Sequence, residues 1–379
     1  MKIEQQQWTA TGGWSPTPST AIRNTAQLVL VFGARDLFND PLYFKQIRET
    51  YRQAHILGCT TAGEIYGTRV FDDSLVCTAI HFEHTQLRIA ATVLDDMEHS
   101  FQAGERLAQA LPHDQLVHLF VISDGLKVNG SELVKGLTQN LPSNIAITGG
   151  LSADGDRFEQ TLVCLDNAPA EKQIAVVGFY GDRLKVGYGS MGGWDAFGVE
   201  WIITKSKGNV LYELDGQSAL GLYKRYLGDH AAQLPASGLL FPLSLRLSDG
   251  DTPVVRTILG IDSEDQSMIF AGDVPQGARA RFMKANFDRL IDGASGAAHT
   301  SYEAIGSTQP DIALLISCVG RKLVLKQRVE EEVESVRDVL GDGTIMAGFY
   351  SYGEISPFTP SAKCELHNQT MTITTFSER

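Results

Sequence analysis

The chain has 379 residues, of which 43% are hydrophobic and 20% charged, a composition typical of a globular protein with room for two domains. Acidic residues outnumber basic ones by 45 to 32, and the net charge of -13 argues against nucleic acid or an anionic membrane surface as partner. The N-terminal stretch MKIEQQQWTA lacks the apolar core of a signal peptide, and no apolar run reaches the ~18 residues of a membrane span, so a cytoplasmic protein is expected.

The first predicted unit is a strand, a helix and a second strand that ends in a glycine turn. QLVLVFGAR is a short buried-strand pattern, and Asp40 followed by Pro41 is a helix-start signal. The helix carries Ile47 and Tyr51 on its apolar face. The unit closes on GCTTAGEIYG, residues 58–67.

The same order of elements recurs twice. HLFVISDGL is followed by a helix with leucines spaced by four and then by GLSADGD, residues 150–156. DIALLISCVGR is followed by a helix with valines at helical spacing and then by GFYSYGEISP, residues 348–357. Apolar strands joined by a helix favour parallel pairing, whereas the period-two stretches after each turn predict antiparallel hairpins. The sheets should therefore be mixed.

These patterns predict an α/β fold, mixed α+β in detail. It consists of repeated strand–helix–strand units with added antiparallel hairpins, mixed sheets and two packed domains. The middle of the chain reads differently, as strand, Gly-Asn turn, strand and amphipathic helix. Residues 205–215 are therefore the predicted crossing between an N-terminal domain over 25–205 and a C-terminal one over 210–379.

The three glycine turns share the spacing G-x-x-x-x-G followed by an acidic residue, which is Glu64, Asp156 or Glu354. A nucleotide-binding loop carries lysine at that place. A carboxylate ~4 Å from a phosphate would cost roughly 4 kcal/mol at an effective dielectric of ~20, so ATP and GTP are rejected. Because loops at the carboxyl ends of strands line ligand crevices, the turns are expected to line a common pocket. Glu64 and Glu354 would suit an ammonium group there.

The candidate ligand-binding residues belong to the turns and to the strand ends beside them. They are Cys59, Thr60, Thr61, Glu64, Asp124, Gly150, Asp154, Arg321, Phe349, Tyr350, Tyr352 and Glu354. A structural alternative stays open for each turn, in which the acidic side chain accepts hydrogen bonds from neighbouring backbone N–H groups. Arg321 either contacts the ligand or pairs with Glu354 across the loop.

A cysteine-dependent hydrolase is the enzyme alternative, with Cys59 as nucleophile. The five cysteines are scattered and form no CxxC pair, which indicates neither a disulfide framework nor a zinc site. His55 lies four residues before Cys59, and no His-Asp arrangement is legible nearby. A buried, inert thiol is the preferred interpretation of Cys59.

Nine histidines occur without HExxH or HxH spacing, so no pair is selected for a metal. The stretch GAAHTSYEA around His299 is the most suggestive of haem, because small residues permit a flat macrocycle to approach a helix. His230 and His367 are the other candidate axial ligands.

Seven ordered motifs between residues 25 and 365 resemble the FIST family of intracellular signal-transduction sensors. They are GCTTAGEI, SDGLKVNGSELVKGL, TGGLSADGD, MGGWDAFG, NVLYELDGQSAL, SCVGRK and AGFYSYGEISP. The resemblance implies N-terminal and C-terminal FIST halves that form a sensor of a small molecule, such as an amino acid.

A stand-alone chain of this length also resembles the haem-binding, nitric-oxide-sensing branch of that family. That branch implies haem as cofactor, a gas ligand, and a histidine kinase or diguanylate cyclase, a cyclic-di-GMP enzyme, as partner. A passive adaptor with purely structural turns is a third possibility, and self-association is left open.

Overall fold

The computed structural model describes residues 1–234, 236–246, 253–358 and 362–379. Within these residues, three segments of the chain repeat one order of elements and build three six-stranded sheets, while an inserted module forms an eight-stranded sheet. The predicted mixed α/β fold, with repeated units, added hairpins and mixed sheets, is confirmed. Among the described helices, none combines the length and the apolar character needed to cross a bilayer.

The first repeat occupies the N-terminal part of the chain. Its elements are β1 (Lys2–Thr9), β2 (Gly13–Ser15), α1 (Thr20–Thr25), β3 (Leu28–Gly33), α2 (Arg35–Phe38), α3 (Pro41–Thr50), β4 (His55–Thr60), β5 (Glu64–Tyr66), β6 (Arg69–Phe71) and β7 (Leu75–His81). β3 and β4 are parallel, and β7 lies antiparallel on the other side of β3. The predicted helix start is confirmed, because the Asp40 carboxylate accepts a hydrogen bond of 2.9 Å from Leu42 N and Pro41 opens α3.

The second repeat has the same order with two longer helices. Its elements are β8 (Gln86–Val93), α4 (Ser100–Ala110), β9 (Leu116–Ser123), α5 (Gly130–Asn140), β10 (Ala146–Leu151), β11 (Val163–Leu165) and β12 (Gln173–Tyr180). A 3₁₀ helix, Met97–His99, precedes α4. Glycine lets α4 and α5 touch, since a Cβ on Gly136 would lie 2.1 Å from Phe101 O.

The third repeat is interrupted by the inserted module. It begins with β13 (Leu184–Met191), and the module contains β14 (Trp194–Lys207), β15 (Val210–Leu214), β16 (Gln217–Ser218), α6 (Ala219–Leu227), β17 (Leu243–Arg246), β18 (Val254–Arg256), β19 (Ile258–Asp262), β20 (Ser267–Phe270) and β21 (Arg279–Ala285), with 3₁₀ helices at Gly228–Gln233 and Ala236–Leu240. The repeat resumes with α7 (Phe287–Ala304), β22 (Ile312–Cys318), α8 (Val319–Leu325), a 3₁₀ helix at Lys326–Arg328, α9 (Val329–Leu340), β23 (Ile345–Ser351), β24 (Gly353–Pro357), β25 (Cys364–His367) and β26 (Met371–Glu378). The predicted crossing at 205–215 falls inside this module.

The three sheets share one strand order and exchange strands in a cycle. Their central orders are β4-β3-β7-β1, β10-β9-β12-β8 and β23-β22-β26-β13. The strand that follows each turn leaves its own sheet: β5 pairs with β23, β11 pairs with β4, and β24 pairs with β10. Each repeat thus completes the sheet of another, so no repeat can be removed without unpairing strands in the other two.

The inner faces of the three repeats share an apolar core in which aromatic rings of different repeats meet. Phe32 of β3 and Phe349 of β23 have ring centroids 4.7 Å apart, and Phe179 of β12 lies 5.1 Å from Phe376 of β26. An apolar void of about 10 Å³ in this core has the volume of about one water molecule. This void is too small for an organic ligand.

Replacement of Gly348 by alanine should destabilise the fold by about 2–3 kcal/mol. The added Cβ would lie 1.8 Å from Leu315 O and would push β23 away from β22. Thermal unfolding followed by circular dichroism measures the effect. Gly260→Ala is the control, because a Cβ at that position meets no atom closer than 3.6 Å. Equal melting temperatures of the two variants would contradict the close approach of the strands.

Candidate functional site

The three glycine turns meet end to end through a closed ring of backbone hydrogen bonds. The bonds run from Ala62 N to Tyr350 O (2.8 Å), from Ala153 N to Thr60 O (2.9 Å) and from Tyr352 N to Leu151 O (3.3 Å). Donors and acceptors occupy equivalent places in their repeats, so the ring surrounds a pseudo-threefold axis. We call these three bonds the turn ring. The turns therefore lie together, as expected from the sequence.

The turns are closed against solvent. Thr61 and Ala62 are each 3% exposed, and Tyr350 and Ser351 are fully buried. An open cleft of about 170 Å³ lies elsewhere, beside the N-terminal segment and α3; its walls include Gln6, Trp14, Arg23 and Gln46. A ligand would reach the turns only after the side chains that cover them move.

The first turn holds Glu64 in a cage of hydroxyl groups. One carboxyl oxygen receives a 2.5 Å hydrogen bond from Thr61 Oγ1, and the other receives bonds from Ser74 Oγ at 2.7 Å and Ser74 N at 3.2 Å. Burial raises the pKa of Glu64 to about 8, although the hydroxyl donors and the charge of Lys322 oppose the shift. The side chain is therefore mostly protonated at neutral pH.

The third turn repeats this cage around Glu354. Ser351 Oγ donates to one carboxyl oxygen at 2.5 Å, and Thr370 donates to the other through Oγ1 at 3.0 Å and through N at 3.2 Å. Burial again raises the pKa of the carboxyl group to about 8. Two of the three turns thus present the same buried acid in the same setting. As in the structural alternative predicted for the turns, each acid accepts a hydrogen bond from a backbone N–H group, and here it also accepts bonds from two hydroxyl groups.

The predicted equivalence between the second turn and the other two is wrong by one residue. The strand register places Ser123 opposite Leu151, as Gly33 lies opposite Thr60, so Gly149 and not Gly150 is equivalent to Gly58. Gly155 then stands where Glu64 stands, and Asp156 is an exposed residue. The apparent spacing from Gly150 to Gly155 arose because two glycines are adjacent at the end of β10. A Cβ on Gly150 would meet the Ile316 side chain at 2.7 Å, which makes this position a packing site.

Asp154 is the buried acid of the second turn, and it fastens a loop over the turn ring. Its carboxylate accepts hydrogen bonds of 3.0 Å from the backbone N–H groups of Phe158, Glu159 and Gln160. It also accepts the Tyr352 hydroxyl and pairs with Arg35 Nη1 at 3.1 Å. The Phe158 ring stacks on Tyr352 with centroids 4.6 Å apart. The loop over residues 155–162 is thereby a lid on the third turn.

Asp124 stabilises loops of the second repeat through hydrogen bonds to its carboxylate. Its carboxylate accepts four bonds from the protein itself, from Leu126 N (2.8 Å), Lys127 N (2.9 Å), Thr161 Oγ1 (2.6 Å) and Lys172 N (2.6 Å). Thr60 Oγ1 similarly accepts Leu162 N at 3.0 Å. Both candidates lie at the turns. Asp124 ties together parts of the second repeat, whereas Thr60 holds the second repeat to the first.

Arg321 does not pair with Glu354. Its guanidinium contacts Glu332 of α9, with Nη2 at 2.7 Å and Nε at 3.0 Å from Oε2, and both side chains are fully buried. Glu332 also accepts the Tyr350 hydroxyl at 2.6 Å. The sequence missed this partner because Glu332 sits in the run EEEV, which reads as the solvated face of a helix.

Lys322 is the residue at the turns that sequence reasoning overlooked. Its Nζ donates to Ala62 O at 2.8 Å, pairs with Asp72 and lies 5.7 Å from the centroid of the Tyr350 ring. The side chain is 16% exposed. A signal was present, since Lys322 follows Arg321 in the motif SCVGRK.

Cys59 lies in the apolar core with no exposed surface, and burial raises the pKa of its thiol well above the ordinary value. A His-Asp pair that the sequence did not reveal does exist, since His55 Nδ1 lies 2.7 Å from Asp166 Oδ2. His55 begins β4 whereas Cys59 lies four residues along it, so this pair does not activate the thiol. Phe349 is also a core residue, through its contact with Phe32.

The small residues around His299 serve helix packing. They lie on the face of α7 that touches β13, where a Cβ on Gly187 would be 2.1 Å from Ser301 O and one on Gly189 would be 2.3 Å from Ala297 O. His299 itself is exposed, with Nδ1 3.0 Å from Ser295 O. This face is filled by protein and does not fit a macrocycle.

The other two candidate histidines differ in burial. His230 is exposed on a 3₁₀ helix beside Phe241. His367 is 1% exposed, its Nε2 donates to Ser356 O at 2.7 Å, and its Nδ1 has no hydrogen-bond partner among the described residues. Burial lowers the pKa of His367 to about 4, so its ring is neutral and Nδ1 presents a lone pair. No group of three or more metal-binding side chains occurs in the described part of the chain.

The fold is that of a protein with three internal α/β repeats, which are arranged in a cycle and joined at their buried polar turns. Family models match the chain over nearly its whole length, the FIST N domain over residues 27–217 and the FIST C domain over residues 219–357. The chain therefore belongs to the FIST family, whose domains are generally small-ligand sensors in signal transduction.

The proteins similar to this chain include a curated relative and a solved structure. An uncharacterised protein of Methanocaldococcus jannaschii is 22% identical over 265 residues, which cover 62% of this chain and 50% of that protein. The chain thus spans about half the length of this curated relative. The crystal structure of cyanuric acid hydrolase from A. caulinodans aligns over 100% of this chain and 99% of its own, with a TM-score of 0.39 and 7% identity. At that level of similarity the hydrolase says nothing about the activity of this chain.

The raised pKa of Glu64 predicts how stability depends on pH. The folded state holds a proton that the unfolded chain releases near pH 4.5, so the free energy of unfolding falls as pH rises towards 8. Glu64→Gln removes this loss. The stability of the variant relative to wild type should therefore rise by about 4 kcal/mol between pH 5 and pH 9.

Urea unfolding at pH 5, 7 and 9 measures that difference. Glu49→Gln, at an exposed position of α3, is the control and should show no such trend. A stability difference for Glu64→Gln that is constant over this range would show that the carboxyl is already ionised at pH 5.

Proposed function

We propose that this chain is a cytoplasmic sensor that receives a small amine-bearing metabolite, such as an amino acid, where the three turns meet. The observation that carries the proposal is the pair of buried acids, Glu64 and Glu354, held alike at two turns that the turn ring joins. A scaffold needs no such pair, because burying a carboxyl group costs free energy that an apolar residue would not.

The protonation of these acids explains how a cation would be recognised. A neutral carboxyl group is tolerated in the closed state, and an ammonium group placed beside it favours the ionised form. The ligand would therefore expel a proton when it binds and would form a buried ion pair in place of a neutral hydrogen bond. Displacement of the lid over residues 155–162 or of the side chains beside the turns would open the way.

Binding of an amine should therefore strengthen as pH rises through 8. We expect thermal shifts with free amino acids and none with their N-acetylated forms, and the apparent Kd should fall by about twentyfold from pH 6.5 to pH 8.5. Calorimetry in buffers of different ionisation enthalpy would detect the released proton. Glu354→Gln should abolish the response, whereas Arg23→Gln, in the N-terminal cleft, should preserve it.

If Arg23→Gln loses binding while Glu354→Gln retains it, the ligand binds in the N-terminal cleft and not at the turns. A flat response of the wild type to every free amino acid would refute the amine proposal.

A haem-based gas sensor is the second candidate, and the unpartnered Nδ1 of buried His367 favours it. Haem iron bound to a histidine nitrogen binds diatomic gases such as nitric oxide. In this version His367 would hold the iron, and its Nε2–H bond to Ser356 O would fix the ring in the tautomer that leaves Nδ1 free.

The visible spectrum of the haem-reconstituted protein tests this candidate. A Soret band in the wild type that is lost in His367→Ala and kept in His299→Ala would support it. A spectrum identical to free haem would exclude the haem sensor and leave the amine proposal untouched.

The proposed output is regulation of a histidine kinase or a diguanylate cyclase, without catalysis by the chain itself. The buried, protonated thiol of Cys59 supports the non-enzymatic assignment. Selective labelling of Cys59 by an electrophilic probe would instead favour the cysteine-dependent hydrolase.

A further inference from the structure

Lys322 places an ammonium group at the first turn from a different repeat. The residue belongs to α8 of the third repeat, and its Nζ donates to Ala62 O, a carbonyl of the first turn, at 2.8 Å. Glycine at position 63 admits it, because a Cβ there would lie 2.5 Å from Nζ. The hydrogen bond from Lys322 to Ala62 O therefore depends on the absence of a side chain at Gly63.

The surroundings of this ammonium are those of an amine-binding site. A carbonyl oxygen from Ala62, a carboxylate from Asp72 and the face of the Tyr350 ring surround Nζ. The buried acid Glu64 is close enough for its pKa to be lowered by the lysine charge. Hydrogen-bond acceptors, negative charge and an aromatic face together are what a primary ammonium ligand would need.

We propose that Lys322 is an internal competitor, whose ammonium occupies the subsite for the ammonium of the ligand in the closed protein and is displaced when the ligand binds. This inference rests on the proposed amine-sensing function and names its regulation. In the closed protein Asp72 balances the charge of Lys322, while Glu64 stays protonated beside it.

Displacement would reach the inserted module through α8. This helix packs against the 3₁₀ helix Ala236–Leu240 of the module. The neighbouring Arg321 anchors α8 to Glu332, so release of Lys322 frees one side of the helix while the other stays fixed. The module would then shift relative to the three sheets, and a partner enzyme could read that shift.

Rescue with a simple amine tests the inference. Lys322→Ala removes the competitor and leaves space for a short alkylamine, so n-butylamine should raise the melting temperature of this variant saturably. The alcohol n-butanol, which has the same length and no charge, should not. Wild type should need at least about tenfold more n-butylamine for any shift, because its own lysine fills the subsite. Lys326→Ala, an exposed lysine at the end of the same helix, is the control and should behave as wild type.

A second variant covers the case in which Lys322→Ala does not fold. Asp72 is 71% exposed, so Asp72→Asn should preserve the fold while weakening the hold on Lys322. We expect acetylation of Lys322 by acetic anhydride, read by mass spectrometry, to proceed several-fold faster in this variant. Asp73→Asn is the matched control, because Asp73 is an exposed neighbour and asparagine tolerates its positive φ of 53°.

The outcomes separate this inference from the proposed function. Equal responses of Lys322→Ala to n-butylamine and n-butanol, or equal acetylation of Lys322 in Asp72→Asn and Asp73→Asn, would overturn the inference. If wild type still binds amino acids in that case, the sensing proposal stands with its ligand placed differently. If Lys322→Ala binds n-butylamine while wild type ignores every amino acid, the lysine site is real and amine sensing is refuted.

Discussion

The ring of three backbone hydrogen bonds between the turns is the constraint on which the rest of the structure depends. A turn residue can reach the strand end of another repeat only if the three repeats are arranged in a cycle, and the exchanged strands β5, β11 and β24 enforce that cycle. Backbone groups at the ends of buried strands must find partners, and here each repeat supplies the partners of another. The polar turns are thereby held inside the protein instead of at an open crevice.

Burial of the turns gives their side chains their unusual chemistry. Glu64 and Glu354 are acids that burial keeps protonated near neutral pH. Hydroxyl and backbone donors, together with the charges of Lys322 and Arg321, oppose the rise in their pKa. Arg321 and Glu332 show the other solution, a fully buried ion pair with further hydrogen bonds to Gly192 O and Leu290 O. Fixed charge thus stabilises the arrangement around the turns, while the two neutral acids are the groups whose ionisation a cation could change.

Much of the fold was legible from local patterns. Asp40 and Pro41 predicted where α3 begins, and the recurrence of strand, helix, strand and glycine turn predicted three equivalent units. The acids Glu64 and Glu354 were identified because each occupies the same position in a G-x-x-x-x-G-E-I motif. The second turn was misaligned, since adjacent glycines at 149 and 150 allow two spacings and only the strand register chooses between them. The partner of Arg321 was missed because a buried glutamate and a solvated one look alike in a helix.

The sequence by itself determined the repeated elements, the polar character of the turns, and membership of a sensor family through motifs in order. Those features depend on neighbours along the chain, which periodicity and turn chemistry record directly. Only the tertiary structure decided the cyclic exchange of strands, the pairing of Arg321 with Glu332 and the position of Lys322 over the first turn. These contacts join residues distant in sequence, and their geometry depends on how three sheets close on one another, which no local pattern records.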